Sequence, residues 1–336
     1  MTQLVRSESL TGYYKLVEEL GGDPDELLAL YGLDRSKLNT GGYMLPYRNF
    51  VSLLELTAQR LQCPDFGIRC AQRQDFSVLG PIALAAQQSA HLGQALERVS
   101  NYLHVYTPAL GLNVSVMPGG STLMLAIEIL LKPLPKCFQA VELTMALSAK
   151  IVHMLSGGQA TPLRALLSHS PMNALGVYRK AFPCEVVFNQ GVTGYEFKVS
   201  DLALPLSSEQ TELGEMAYSY LESHFLARQS SYSERVMALI KPLLMVEQCT
   251  NEAVAKTLDM DTRQLHRVLE VEGTSFRLIK DSVLRDLADV YLREESLKLG
   301  QVARLLGYSE QSGFSRSCQR WFAMGPRDYR KKIMAG

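Results

Sequence analysis

The sequence has little that would place it outside an ordinary globular class. It carries no net charge, with 34 Lys+Arg against 34 Asp+Glu. Tryptophan occurs once and cysteine six times in 336 residues. The cysteines (Cys63, Cys70, Cys137, Cys184, Cys249, Cys318) form no C-x-x-C pair. That argues against a zinc site and a disulfide framework, and fits a reducing compartment. Long apolar runs are missing: the longest, Leu123 to Leu131, is broken by Glu128 and falls far short of the ~20 residues of a membrane helix. The opening MTQLVRSESL has no apolar core for a signal peptide. A soluble, cytoplasmic protein with no membrane partner is expected. G-x-S-x-G, H-E-x-x-H, P-loop and G-x-G-x-x-G motifs are absent, and the six histidines show no metal-ligand spacing. No catalytic residue, metal or cofactor is expected, and the chain reads as a non-enzyme.

The zero net charge conceals an asymmetry. From Ser230 onward there are 17 basic and 14 acidic residues, and from Lys298 to Lys332 there are 8 and 2. Such a stretch is either a solvated tail or a surface for a polyanion.

Glycine and proline divide the first hundred residues into short helical segments, with breaks at Gly21-Gly22-Asp23-Pro24, Pro46 and Leu79-Gly80-Pro81. The texture then turns β-leaning. Leu112–Met117 and Thr122–Ile129 flank Pro118-Gly119-Gly120-Ser121, a hairpin signal. A helix is expected over Lys136–Leu155, strands at Leu163–Leu167, Glu185–Phe188 and Tyr195–Val199, and a helix near Ala174–Phe182. The first part is therefore expected to be α+β with an antiparallel sheet. A further helix over Ser207–Ala227 aligns Leu213, Met216, Ala217, Tyr220, Leu221, His224 and Phe225 on one stripe. That stripe either packs on its own sheet or forms a homodimer seam. The polar Arg228–Ser233 stretch marks a boundary, giving domains 1–228 and 229–336.

The second domain is expected to be all-α. Two segments share a template: Val254-Ala255 through Asp261 with Leu265 and Arg267, and Val302-Ala303 through Ser309 with Phe314 and Arg316. This is the pattern of two helix-turn-helix units. The helices touch at Ala255 and Ala303. Gly307 supplies the left-handed turn residue, and Asp259 stands there in the first unit. Asp261, with Gln264 three residues on, caps one second helix, and Ser309 is expected to cap the other. Between the units, Ser275–Arg293 contains no glycine or proline and spans roughly 28 Å as a helix. That approaches the ~34 Å between successive major grooves on one DNA face.

From Glu247 to Arg330 the sequence resembles the AraC/XylS family of bacterial transcription regulators. The resemblance rests on Gly307-Tyr308-Ser309, Ser312-Gly313-Phe314-Ser315-Arg316, Trp321 and Pro326-Arg327-Asp328-Tyr329-Arg330. The first unit adds Arg263-x-Leu265-x-Arg267 and Gly273-Thr274-Ser275-Phe276. Cys318 departs from the family's usual phenylalanine. The resemblance implies base- or phosphate-contacting roles for Arg263, His266 and Arg267 in the first unit, and for Gln311, Ser312, Ser315 and Arg316 in the second. Arginine can grip guanine, glutamine can pair with adenine, and serine can bond to bases or phosphate. Arg267 and Arg316 could instead bridge to acidic neighbours. Lys331 and Lys332 are either phosphate neighbours or solvated. Thr250–Thr274 holds three basic and five acidic residues, so the second unit is expected to supply most of the salt-dependent affinity.

Shorter segments, Leu45-Pro46-Tyr47, Cys63-Pro64-Asp65-Phe66-Gly67 and Leu79-Gly80-Pro81, resemble the arabinose-binding-type sensing and dimerisation domain of one branch of that family. This implies a regulator that answers a small-molecule effector, with promoter double-stranded DNA and RNA polymerase as partners, as activator or repressor. An enzyme-like domain fused to a DNA-binding module and a ligand-independent regulator are the alternatives. Tyr102, His104, Tyr106 and His153 lie near apolar stretches, where a structural role is the simpler reading.

Overall fold

Several helices of the first unit end at glycine or start at proline. The computed structural model describes residues 3–334 except 39, 41, 118, 207–210, 226–230, 246–248, 259 and 295–296. Strand β1 (Leu4–Arg6) precedes α1 (Tyr13–Glu19), which runs out at Gly21 with φ +81°. Helix α2 (Pro24–Ala29) starts on Asp23, whose carboxylate accepts from the backbone N–H groups of Asp25 at 2.9 Å and Glu26 at 3.3 Å. After α3 (Arg35–Leu38), strand β2 (Met44–Pro46) pairs antiparallel with β1, Val5 opposite Leu45. This small sheet has no sequence signature, because three-residue strands are too short for alternation to register. Helices α4 (Tyr47–Arg60), α5 (Phe66–Gln72), α6 (Pro81–Gln87) and α7 (Leu92–Tyr106) complete the helical part.

The expected hairpin is present as β3 (Leu110–Val116) and β4 (Thr122–Ile129). Its turn closes with Met117 N–H donating to Thr122 O at 2.8 Å, while Pro118 lies outside the described residues. Next come α8 (Phe138–Leu155), β5 (Arg164–Leu166), α9 (Leu175–Ala181), β6 (Glu185–Val187) and β7 (Gly194–Lys198). The main sheet has the order β3-β4-β7-β5-β6. β5 and β7 are antiparallel, with Arg164 opposite Glu196 and their side chains joined by two hydrogen bonds of 2.7 and 2.9 Å. The sheet contains antiparallel strands, as expected, together with one parallel pair, β5 and β6. The connection between them carries α9, and only such a long crossover permits a parallel pair.

Helix α5 lies against α8 with almost no space between backbones. A Cβ on Gly67 would stand 2.1 Å from the Gln139 carbonyl oxygen. Gln139 locks the contact: its side chain accepts from Gly67 N–H at 2.8 Å and donates to Pro64 O at 2.9 Å. Farther along α8, Glu142 is buried with Tyr178, whose hydroxyl donates to it at 2.6 Å, and with His169 at 3.9 Å. Burial pushes the Glu142 carboxyl up to about 7 and pulls the His169 imidazole down, so both neutral forms are favoured.

Helix α10 (Glu212–His224) forms within the expected 207–227 segment, whose ends at 207–210 and 226–227 lie outside the described residues. The stripe on it divides. Leu221 is buried, whereas Leu213, Met216 and Tyr220 are 62%, 68% and 48% exposed.

The remainder is helical: α11 (Tyr232–Met245), α12 (Asn251–Thr257), α13 (Thr262–Val271), α14 (Phe276–Arg293), α15 (Leu299–Leu305), α16 (Gln311–Phe322) and α17 (Pro326–Met334). Two compact units result. Unit 1 comprises residues 1–114, 123–188 and 193–228; unit 2 comprises 229–336 with the short segments 115–122 and 189–192. The expected boundary at 228/229 falls in a segment outside the described residues. Each unit has its own apolar core, around Tyr13, Phe66 and Phe197 in the first and Leu265, Tyr291 and Phe314 in the second. Among the described residues no helix is long and apolar enough to cross a membrane.

Candidate nucleic-acid interface

Both helix-turn-helix units are built as their small residues require. In the first, Ala255 and Val254 are buried where α12 meets its neighbours. Thr250 caps α12, accepting from Ala253 N–H at 3.1 Å. Asp261 caps α13: its carboxylate accepts from the N–H groups of Arg263 and Gln264, each at 2.8 Å. Gln264 returns the favour of geometry by accepting from Asp261 N–H at 2.9 Å, a complete capping box. The turn residue Asp259 lies outside the described residues.

In the second unit Val302 and Ala303 are buried, and Gly307 takes φ +78°. A Cβ there would sit 3.1 Å from Leu244 Cδ2, a tight contact to a flexible side-chain end, so glycine is favoured chiefly by conformation. The cap differs from expectation. α16 begins at Gln311, which makes Glu310 and not Ser309 the N-cap residue. The Glu310 carboxylate accepts from the Ser312 hydroxyl at 3.0 Å and makes no side-chain bond to the helix backbone. Tyr308 folds over the turn, donating to Ser317 Oγ at 2.8 Å and meeting the Phe314 ring at 5.9 Å.

The residues singled out for DNA contact fall on one face of each helix. On α13, Arg263, His266 and Arg267 are exposed, while Leu265 and Leu269 are buried. At ~100° per residue the three polar side chains occupy an arc of about 100°, opposite the two leucines. On α16, Gln311, Ser312 and Arg316 are exposed and Ser315 is half-buried, opposite Phe314, Ser317 and Cys318. The Ser315 hydroxyl donates to Gln311 O at 3.0 Å, which leaves its oxygen free to accept. His266 Nδ1 stands 3.8 Å from Glu270, one turn along the same exposed face. Cys318 is fully buried within the core of unit 2, and burial pushes its thiol up to about 12.

Other signature residues turn out to hold unit 2 together. Tyr329 donates to Asp289 on α14 at 2.7 Å and stacks on Phe322 at 3.8 Å. Arg330 Nε donates to Leu292 O at 3.1 Å, and Arg320 pairs with Asp281. These bonds anchor α16 and α17 to α14. The sequence reading missed a second group: Lys298, Arg304 and Arg327 line a concave surface with Gln311 beside the start of α15. Their only signal was the local excess of positive charge.

Comparisons with known proteins match both parts of the chain. Residues 21–206 match the family model described as the arabinose-binding domain of AraC transcription regulator, N-terminal, and residues 254–332 match a helix-turn-helix domain model. The HTH-type transcriptional regulator VirS of Mycobacterium tuberculosis is 37% identical over 327 residues, covering 97% of this chain and 96% of that one. The ornithine utilization regulator of Pseudomonas aeruginosa is 26% identical over 321 residues, covering 91% and 93%. The crystal structure of the transcriptional regulator CdpR from Pseudomonas aeruginosa aligns over 94% of this chain and 97% of its own, with 21% identity and a TM-score of 0.41. The chain therefore belongs to the AraC family of helix-turn-helix, DNA-binding transcription regulators.

Proposed function

We propose that residues 229–336 bind promoter DNA with both heads at once, and that residues 1–228 sense a small-molecule effector and dimerise. The observation that carries the first part is the arrangement within unit 2. Each unit presents a polar helix face with buried anchors on its other side, and an uninterrupted 18-residue α14, capped by Ser275, connects the two units along the chain. That helix is about 27 Å long, close to the ~34 Å repeat of successive major grooves. Arg263, His266 and Arg267 read one groove, and Gln311, Ser312, Ser315 and Arg316 the next. The effector role is supported by the description of the matching family model and by a relative named for ornithine utilization.

The test is a gel-shift series on a fragment selected by the protein from a random-sequence pool. Arg316→Ala should weaken binding by about 1–3 kcal/mol, roughly 5- to 150-fold, and flatten the salt dependence. Arg267→Ala should change base preference more than salt slope, because its surroundings are net acidic. Equal affinity of Arg316→Ala and wild type would remove α16 from the interface.

The exposed Leu213, Met216 and Tyr220 recur at helical spacing on α10, an apolar row of the kind that a second copy of the chain covers. Met216→Glu should shift the sedimentation profile toward monomer without lowering the helix content. A dimer of unchanged strength would place the seam elsewhere.

A further inference from the structure

Unit 1 holds a partly open cavity of about 100 Å³ between its helices and the β3–β4 hairpin, walled by side chains such as Phe50, Val99, Leu103, Leu125, Ile127 and Leu147. Packed interiors contain few voids larger than a water molecule. An apolar void of comparable size in another protein stays dry and takes up small apolar molecules. Among the described residues no Asp, Glu, Lys, Arg or His lines this one.

Most polar groups on the wall are already engaged. The Thr144 and Ser148 hydroxyls donate to carbonyls one turn back on α8, at 2.8 and 2.6 Å. The Gln74 amide donates to Ser9 O at 2.8 Å and to Thr11 O at 3.2 Å. Tyr106 stands beside Ser9. Two hydroxyls differ. Tyr47 and Ser9 are buried, both line the cavity, and neither side-chain oxygen meets a hydrogen-bond partner at bonding geometry among the described residues. A buried tyrosine hydroxyl ordinarily finds a partner, and leaving one unpaired costs free energy.

We propose that this cavity is the effector site, and that its ligand is a neutral, mainly apolar molecule whose single hydroxyl or carbonyl oxygen pairs with Tyr47. The assignment rests on reading unit 1 as a sensor. A sugar would bring several hydroxyls, and an amino acid two charges, into a wall that offers only two unengaged hydroxyls, those of Tyr47 and Ser9, and each unmatched group would lose its hydration without compensation.

Calorimetry on the full chain with 1-alkanols from butanol to decanol tests the proposal, since each is an apolar tail with one hydroxyl. Affinity should rise about fourfold per added methylene until the cavity is full, then level off. Tyr47→Phe should weaken alkanol binding about fivefold. Val99→Phe should fill the void, keep the melting temperature of the wild type, and abolish binding. Failure of every alkanol to bind, or equal binding by both variants, would overturn the assignment, as would a large fall in melting temperature for Val99→Phe. Operator affinity, measured with and without alkanol, separates this proposal from the sensor reading. Alkanol binding that leaves DNA affinity unchanged keeps the cavity and overturns the sensor. A pentose that alters DNA affinity equally in wild type and Val99→Phe keeps the sensor and overturns the cavity.

Discussion

Alanine in place of Phe314 should disable the second reading head by unfolding it. The ring is fully buried in the core of unit 2, against Tyr308. Phenylalanine-to-alanine changes in a core cost about 3–5 kcal/mol, a large part of the roughly 5–15 kcal/mol that stabilises a typical domain. Hydrogen exchange should show protection lost across α15 and α16, with DNA binding lost in parallel. Arg316→Ala makes the matched control, because it removes an exposed side chain from the same helix and should leave protection intact. Full protection in the Phe314→Ala protein would mean that this ring is not the anchor of the second unit.

Gly67→Ala should be the most damaging single-methyl addition in unit 1. The new Cβ would stand 2.1 Å from a backbone oxygen and 2.9 Å from its carbonyl carbon, so α5 and α8 must separate. Overpacking of this kind costs about 1–3 kcal/mol, and breaking the Gln139 bonds to Gly67 and Pro64 adds a similar amount, ~1–3 kcal/mol. Thermal melts should show a lowered transition. Gly176→Ala offers the contrast: it lies in α9 with nothing within 4 Å of the added atom. There the better helix propensity of alanine should leave stability equal or higher. If the two variants melt alike, the α5–α8 contact yields more easily than its geometry implies.

The parts of the molecule that could be read from sequence share one property: local pattern determines them. The capping box at Asp261 and Gln264, the left-handed Gly307 and the β3–β4 hairpin each depend on a few adjacent residues. The same holds for the polar faces of α13 and α16, which follow from helical period alone. What escaped depends on partners distant in sequence. Nothing near Glu185 announces that β6 will lie parallel to β5. Tyr329 and Arg330 are signature residues whose role in holding α17 to α14 shows only in their bonds to that helix. Glu310 displaces Ser309 as cap because the helix begins one residue later, a shift too small for propensity to resolve. Tyr47 is only the last residue of the short Leu45-Pro46-Tyr47 motif until its burial and its missing partner are seen together.

The cavity also has a mechanical consequence. A folded chain that holds empty space occupies more volume than its unfolded form, because unfolding lets water fill the void. Compression therefore pushes unit 1 toward unfolding, with a volume change on the order of tens of mL/mol. A ligand occupying the space would remove that susceptibility, making unit 1 less compressible at the same moment as it makes it more stable.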